Sequence, residues 1–510
     1  MNRESVGAVR SEELNKPGRL AAFLAGGLRP AALFLGAYFL LSIAVRLMLP
    51  NALTLDEAEQ ALFSQYWLAG YGPQPPFYNW VQNAFVSVIG ISLFSLTLPK
   101  FLMLLLCYVF FGMAAREIDA RPAFAAMAML SLLTLPQLSY MPQQDLTHTV
   151  AVLMATSLFL YGLFRTLVRA DWQGYVIVGV ATGIGMISKY NFGLLPASAL
   201  IAVCCDREWR ARLFDLRILL TAVISLAIVL PHALWLLGNL DLATSGTIGK
   251  MVEANAPHGI ARIARALASL MLACIAFGAL TVIIFAVAFK KDFRRSLTAG
   301  DRWTRLLGLM MAVGLLGVVG VILFTGTTKI TERWLDPYLL PLPLYLLLKL
   351  ERAGIDATLH LKRLVPVFIV IMAVTSVPLA GKTFTAGLTG AYTRINYPLA
   401  SVAEALKAEG RPAVIVAAGM HLAGNMRLQF PDVPVINSEQ PIAGFPAPDD
   451  MKGPVLAIWS EGGGGTGSPP IDLSSVDTLG LTASPAKSLS RPYYYGDGKM
   501  QLNLGYLWLR

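Results

Sequence analysis

Long apolar runs broken by short polar joints occupy the chain from residue 31 to about residue 382, after which the pattern changes. The runs cover about residues 31–49, 98–115, 121–137, 147–166, 174–189, 191–205, 217–238, 266–289, 305–325, 335–350 and 363–381. Most approach the roughly 20 residues that a helix needs to cross a bilayer. They predict about eleven crossings, an odd number, with the third, fifth and sixth short enough to be broken or merged. Gly179/Gly183 and Gly314/Gly317/Gly320 read as points of close helix contact. Beyond Thr383 the spacing is that of a soluble fold. Leu399 to Leu406 and Leu422 to Phe430 read as helices, Ala413 to Ala417, Val433 to Ile436 and Val455 to Trp459 as strands, and Tyr493 to Tyr495 with Leu502 to Leu509 as a terminal hairpin. The pattern predicts a mainly α, polytopic membrane helical bundle over residues 1–382 and a small C-terminal α/β domain over residues 383–510.

Charge gives the bundle a direction. Arg116/Arg121, Arg165/Arg169, the Arg207 to Arg217 run, the Lys290 run and the Lys349 run fall in alternate loops, which face the cytoplasm by the positive-inside rule. The remaining loops, the C-terminal domain included, then face the periplasm of a bacterial inner membrane. Composition agrees, since 510 residues with 55% hydrophobic and 14% charged, at mean hydropathy +0.59, are too apolar for a soluble enzyme of this length. The net charge of +10 is spread between spans, which argues against a nucleic-acid partner. Cys107, Cys204, Cys205 and Cys274 lie in or at the ends of apolar spans without metal-ligand spacing and read as core residues. The basic head is long and the first apolar run can stay as an anchor, so no cleaved signal peptide is expected.

The most informative stretch runs from Thr54 to Trp80. Asp56, Glu57 and Glu59 follow the first span, so they lie just beyond a membrane face, where a carboxylate stays ionised at little cost. Ala58, Ala61, Leu62, Gln65, Tyr66 and Leu68 recur at helical spacing, predicting a helix along the interface. Pro73, Pro75 and Pro76 then stiffen a loop, and Tyr66, Trp67, Tyr71, Phe77, Tyr78 and Trp80 have the composition of an aromatic belt at headgroup depth. Further polar residues on the outer side are Asp145 and His148, Lys189 and Tyr190, Lys250, Glu253 and His258, and Lys329, Glu332 and Arg333. Each has a plainer reading as well. A single acid at a span end is often a helix cap, Asp145 and His148 can pair on one helical face, and Lys329 and Arg333 can pair with Glu332 at the surface. Lys189, between two apolar spans, needs an anionic partner. Gly462, Gly464 and Gly467 match a dinucleotide fingerprint, but Pro469 and Pro470 prevent the helix it requires, leaving a loop.

A carboxylate above a basic pocket at a lipid surface suits group transfer from a lipid phosphate. The acid takes the proton of an acceptor hydroxyl and the cations hold the phosphate that leaves. A sugar on a polyprenyl phosphate carries its own activation, so no nucleotide-binding fold is needed, and no cofactor and no metal ligands are assigned. The rival class is a transporter or flippase of lipid-linked sugars, which also holds membrane-embedded charge.

The segments LDEAEQALFSQYWLAGYGPQPPFYNW, GVATGIGMISKYNFGLLPASAL, TKITERWLDPYLLPL and LAGNMRLQFPDVPV resemble those of the C-type (GT-C) membrane glycosyltransferases. Within these they are similar to the bacterial relatives of protein O-mannosyltransferases, the lipid A aminoarabinose transferases and the rhizobial lipopolysaccharide galacturonosyltransferases. The resemblance implies two interfacial helices in the first external loop, Asp56 as catalytic base, Asp145 as a second acidic residue, and a basic patch at Lys329 and Arg333. It further implies a polyprenyl-phosphate sugar donor, with a lipid, glycan or protein as acceptor. Glu57, Tyr78, His148, Lys189, Tyr190 and Glu332 complete the candidate substrate contacts. Where relatives often carry His or Lys before the paired prolines this chain has Gln74, which shifts phosphate contact toward Lys189, Lys329 and Arg333.

Overall fold

The computed structural model describes residues 18–243, 259–440, 442, 445, 452–461, 471–474, 476 and 480–510. Lys250, Glu253 and His258, and the glycines at 462, 464 and 467, lie outside the described residues. After a short helix at Arg19–Ala25, the membrane domain begins with α1 (Leu28–Met48) and the two helices of the first external loop, α2 (Leu55–Phe63) and α3 (Phe77–Ile89). It continues through α4 (Leu93–Ile118), α5 (Pro122–Ser131), α6 (His148–Arg169), α7 (Trp172–Met186), α8 (Leu194–Cys204) and α9 (Arg217–Gly238). The last four are α10 (Ile260–Phe289), α11 (Arg302–Thr325), α12 (Leu342–Arg352) and α13 (Leu361–Phe384).

Every apolar run is helical, but among the described residues only seven helices have the length and hydropathy of a full crossing: α1, α4, α6, α9, α10, α11 and α13 with the turn before it. The others are interrupted for identifiable reasons. Residues 122–144 bend by 86° at Pro136, which lacks a backbone donor and restricts the residue before it. α7 and α8 are 15 and 11 residues long, with the turn around Lys189 between them. The run at 335–350 is split before Pro341 and Pro343. The glycine seams are partly as expected. A side chain at Gly179 or Gly183 would collide with α9, and one at Gly314 or Gly317 would press on Tyr338 or Leu194, whereas Gly320 faces open space.

Ion pairs sort the loops onto two faces. Arg169 pairs with Glu117 at 2.7 Å, Arg121 with Glu351 at 2.6 Å, Arg302 with Asp206 at 2.9 Å and Arg352 with Asp301 at 2.7 Å, which gathers the basic loops on one side. On the other side Phe77 N donates to Ile187 O at 2.9 Å and Asn191 Nδ2 to Trp334 O at 2.9 Å. The C-terminal domain sits there too, against α2.

That domain contains α14 (Leu399–Glu409), β1 (Val414–Ala417), α15 (Met420–Gln429), β2 (Val435–Asn437), β3 (Val455–Ser460), β4 (Lys487–Pro492) and β5 (Gln501–Leu509). The strands form one sheet in the order β2-β1-β3-β5-β4, with β1 parallel to β2 and β3, and β5 antiparallel to β3 and β4. The terminal hairpin is present, but its first strand ends at Pro492. Tyr493 to Tyr495 belong to the connection, where Tyr495 (φ 58°) and Gly498 (φ 81°) turn the chain back. Ala52 and Leu62 of the first loop are buried in the same apolar cluster as Leu399, Ile415 and Met426, so the domain's core is completed by the loop it covers.

Candidate active site

The site forms around the N-terminus of α2, where the first backbone N–H groups of a helix have no partner within it. Asp145, ninety residues further along, fills that gap. Its Oδ2 accepts from Leu55 N at 3.0 Å, its Oδ1 from Asp56 N at 3.2 Å and from Thr54 Oγ1 at 2.7 Å. Glu57 is anchored from the other direction. Arg46 of α1 donates to both its carboxylate oxygens, Nε to Oε1 at 2.9 Å and Nη2 to Oε2 at 2.8 Å, and Thr54 N donates to Oε2 at 3.0 Å. Arg46 and Glu57 are 4% and 5% exposed, so this is a buried, bidentate pair. Glu57, a candidate substrate contact, is thus held on both carboxylate oxygens by groups of the protein itself. Asp56 remains half-buried, its Oδ2 accepting from Thr147 Oγ1 at 3.4 Å.

Electrostatics separate these acids. Burial would raise Glu57, but the Arg46 guanidinium outweighs it, and Glu57 is held at about 2. Burial and the neighbouring Asp56 charge push Asp145 up to about 7. Tyr78 is fully buried over the same cluster, its hydroxyl without a hydrogen-bond partner among the described residues, and is raised by burial and then by the charges of Asp56, Glu57 and Asp145.

The first turn of α6 joins this acidic side to the basic side. Thr147, just before it, reaches Asp56. His148 Nε2 lies 3.4 Å from Gln60 Nε2, with its ring 5.7 Å from that of Tyr78, and Thr149 Oγ1 accepts from Lys189 Nζ at 2.8 Å. Tyr190 turns away from the acids. Its hydroxyl lies 3.1 Å from Nε2 of His232 in α9, whose Nδ1 donates to Ala69 O at 2.8 Å. Lys329 and Arg333 are exposed and Glu332 is half-buried, and among the described residues they do not form the surface ion pair that was the plainer alternative.

Three polar residues that the sequence did not single out belong to this region. Lys100, buried in the second turn of α4, stands within electrostatic reach of Glu57, Asp145 and Asp56. Asp336 is fully buried within reach of Lys189 and Arg333, and neither of its oxygens has a hydrogen-bond partner among the described residues. His232 ties α9 to the first loop. The signal in each case was a lone polar residue in an apolar run.

The aromatic belt is mostly turned inward. Tyr66, Tyr71 and Tyr78 are buried, Phe77 and Trp80 are half-buried, and Trp67 is 62% exposed. They pack the loop together, with Tyr71 Oη donating to Tyr66 O at 2.7 Å and Trp80 Nε1 to Leu68 O at 2.7 Å. The helix expected to run through Leu68 stops at Phe63. Among the described residues no group of three or more His, Cys, Asp or Glu is arranged to hold a metal ion.

Residues 73–235 match the family described as dolichyl-phosphate-mannose-protein mannosyltransferase. The chain is 50% identical over 487 residues to the lipopolysaccharide core galacturonosyltransferase RgtA of Rhizobium johnstonii, covering 95% of this chain and 98% of that one. It is 43% identical over 477 residues to RgtB of the same organism, covering 93% and 96%. Its fold is similar to that of ArnT from Cupriavidus metallidurans in crystal structures with undecaprenyl phosphate (TM-score 0.60) and in the apo state (TM-score 0.61). Each match has 15% identity and covers 93% of this chain and 97% of the other.

Proposed function

This chain belongs to the family of membrane glycosyltransferases that includes the rhizobial lipopolysaccharide core galacturonosyltransferases, and from that premise we propose that it moves galacturonic acid from a polyprenyl-phosphate carrier to the lipopolysaccharide core. The reaction takes place on the periplasmic side of the inner membrane. Asp56 is the general base. It takes the proton of the acceptor hydroxyl as that oxygen attacks the anomeric carbon, and the bond to the lipid phosphate breaks. Lys189, Lys329 and Arg333 stand on the side where the departing phosphate gathers charge.

One observation supports the choice of base. Of the three acids at the site, Glu57 is taken by Arg46 and Thr54, and Asp145 by Thr54 and the backbone of Leu55 and Asp56. Asp56 alone of these three keeps a carboxylate held by no more than a 3.4 Å hydroxyl contact. Family membership sets aside the transporter reading for the chain as a whole.

The test is transfer by the purified protein from lipid-linked galacturonic acid to core lipopolysaccharide, followed by mass spectrometry for the added hexuronic acid. Asp56→Asn is expected to lower turnover by about 10²- to 10⁴-fold while leaving donor binding intact. Near-normal turnover in that variant would make Asp56 a helix-end residue and remove the base from the mechanism.

A further inference from the structure

α15 of the C-terminal domain lies directly on α2. A Cβ added to Gly424 would come within 2.0 Å of the carbonyl oxygen of Ala58 and 2.5 Å of its carbonyl carbon. Both are backbone atoms that cannot rotate aside, so this approach requires glycine. The next residue, Asn425, is fully buried, with Oδ1 accepting from Leu53 N at 2.9 Å and Nδ2 donating to His421 O at 2.8 Å. His421 Nε2 donates to Leu53 O at 2.8 Å, so α15 holds both backbone groups of a residue three positions before Asp56. Gln429 Nε2 donates to Asn51 O at 2.9 Å. Beyond α2, Gln65 grips the backbone of Val435, accepting from its N–H at 2.9 Å and donating to its carbonyl at 3.1 Å.

The chain is thus clamped on both sides of Asp56. A helix of nine residues has little stability of its own, and its placement comes from what it packs against. α2 has a membrane-side anchor in Arg46 and Asp145, and the domain supplies the opposing one.

We infer that Gly424 and Asn425 are positioning residues for Asp56, and that the C-terminal domain acts in the transfer step by setting α2 against Asp145 and the cations of the membrane domain. This rests on Asp56 being the base. A catalytic group displaced by about 1 Å loses on the order of 10²-fold in rate, so a clamp of this kind acts on kcat.

The experiment compares full-length Asn425→Ala, Val416→Ala and Asp56→Asn in detergent, reading Tm, undecaprenyl-phosphate affinity, kcat, KM and the pH dependence of kcat. Val416 is buried on the far face of the sheet, in a cluster that contains no first-loop residue, so its truncation weakens the domain without touching the seam. Asn425→Ala is expected to lower kcat by about 10- to 100-fold with undecaprenyl-phosphate affinity unchanged, and to move the pH dependence because the spacing of Asp56 and Asp145 changes. Val416→Ala is expected to lower Tm and keep the kcat of the folded protein. A wild-type kcat in Asn425→Ala, or an equal loss in Val416→Ala, overturns the inference. If Asn425→Ala does not fold, Gln429→Ala removes only the bond to Asn51 and reads the same split, with unaltered kcat overturning it. Turnover surviving in Asp56→Asn overturns the base assignment separately, whatever the seam variants do.

Discussion

Two aspartates that share the end of one helix cannot both carry full charge at neutral pH without cost. Asp145, raised to about 7 by burial and by Asp56, keeps a proton in the folded protein that the unfolded chain releases near pH 4. The stability this proton contributes is fully present below about pH 4 and is lost as the pH rises to about 7. Tm should therefore fall across that window, and Asp145→Asn should flatten the fall, as scanning calorimetry at several pH values would register. Donor affinity should also weaken as the pH rises through about 7, because a second carboxylate charge then faces an anionic lipid phosphate, and this dependence should vanish in Asp145→Asn. Glu57 belongs to a different class of acid. Removing it leaves Arg46 buried without its partner, so Glu57→Ala is expected to cost about 3–5 kcal/mol in thermal or denaturant unfolding, unlike Asp56→Asn. At this scale the acids were legible in the sequence because three fell together beside a span. Lys100, Asp336 and His232 were not, because a single polar residue within an apolar run does not announce a distant partner such as Glu57 for Lys100, Lys189 for Asp336 or Tyr190 for His232.

Elements were read well where periodicity alone decides and poorly where a stripe has two uses. The aromatic spacing from Tyr66 to Trp80 fits a membrane belt and a packed loop equally, and only tertiary contacts show that most of these rings face inward. The loop is held to α9 by a close approach at Gly70, where an added Cβ would stand 2.2 Å from the Trp235 ring. That ring stacks on His232 at 5.6 Å and 16°, and His232 holds Ala69 O, so Trp235 has little room to yield. Gly70→Ala should destabilise the protein by about 1–3 kcal/mol through overpacking, which thermal unfolding of the purified variant checks. The breaks at Pro136 and Pro341 were also only half-legible. A proline shows where a helix is disturbed, and the neighbours decide whether it bends by a few degrees or by 86°.

For the whole molecule, the two-faced arrangement of loops was legible because basic residues cluster in alternate joints. The number of crossings was less so, since short helices such as α7 and α8 depend on their neighbours for their place. Contact between the first loop and the C-terminal domain puts both on one side, so the crossings between them are even in number and the total, with α1, is odd. A thiol introduced at Ser474 in a background free of Cys107 and Cys274 is expected to react with a membrane-impermeant reagent from outside the inner membrane. The exposed Cys204 and Cys205, on the basic face, should react only after that membrane is opened. Labelling of Cys204 and Cys205 in intact spheroplasts would reverse the orientation.

The last strand in chain order, β5, does not close the sheet at an edge but lies between β3 and β4. During synthesis the helix carrying Asp56 is laid down early, yet the domain packed against it lacks an interior strand until residues 501–509 have left the ribosome. If the domain positions Asp56 as inferred above, competence waits on those residues. A polypeptide cut short before residue 501, even one with all its apolar helices in place, is then expected to be catalytically silent, which transfer assays on a chain truncated there would check.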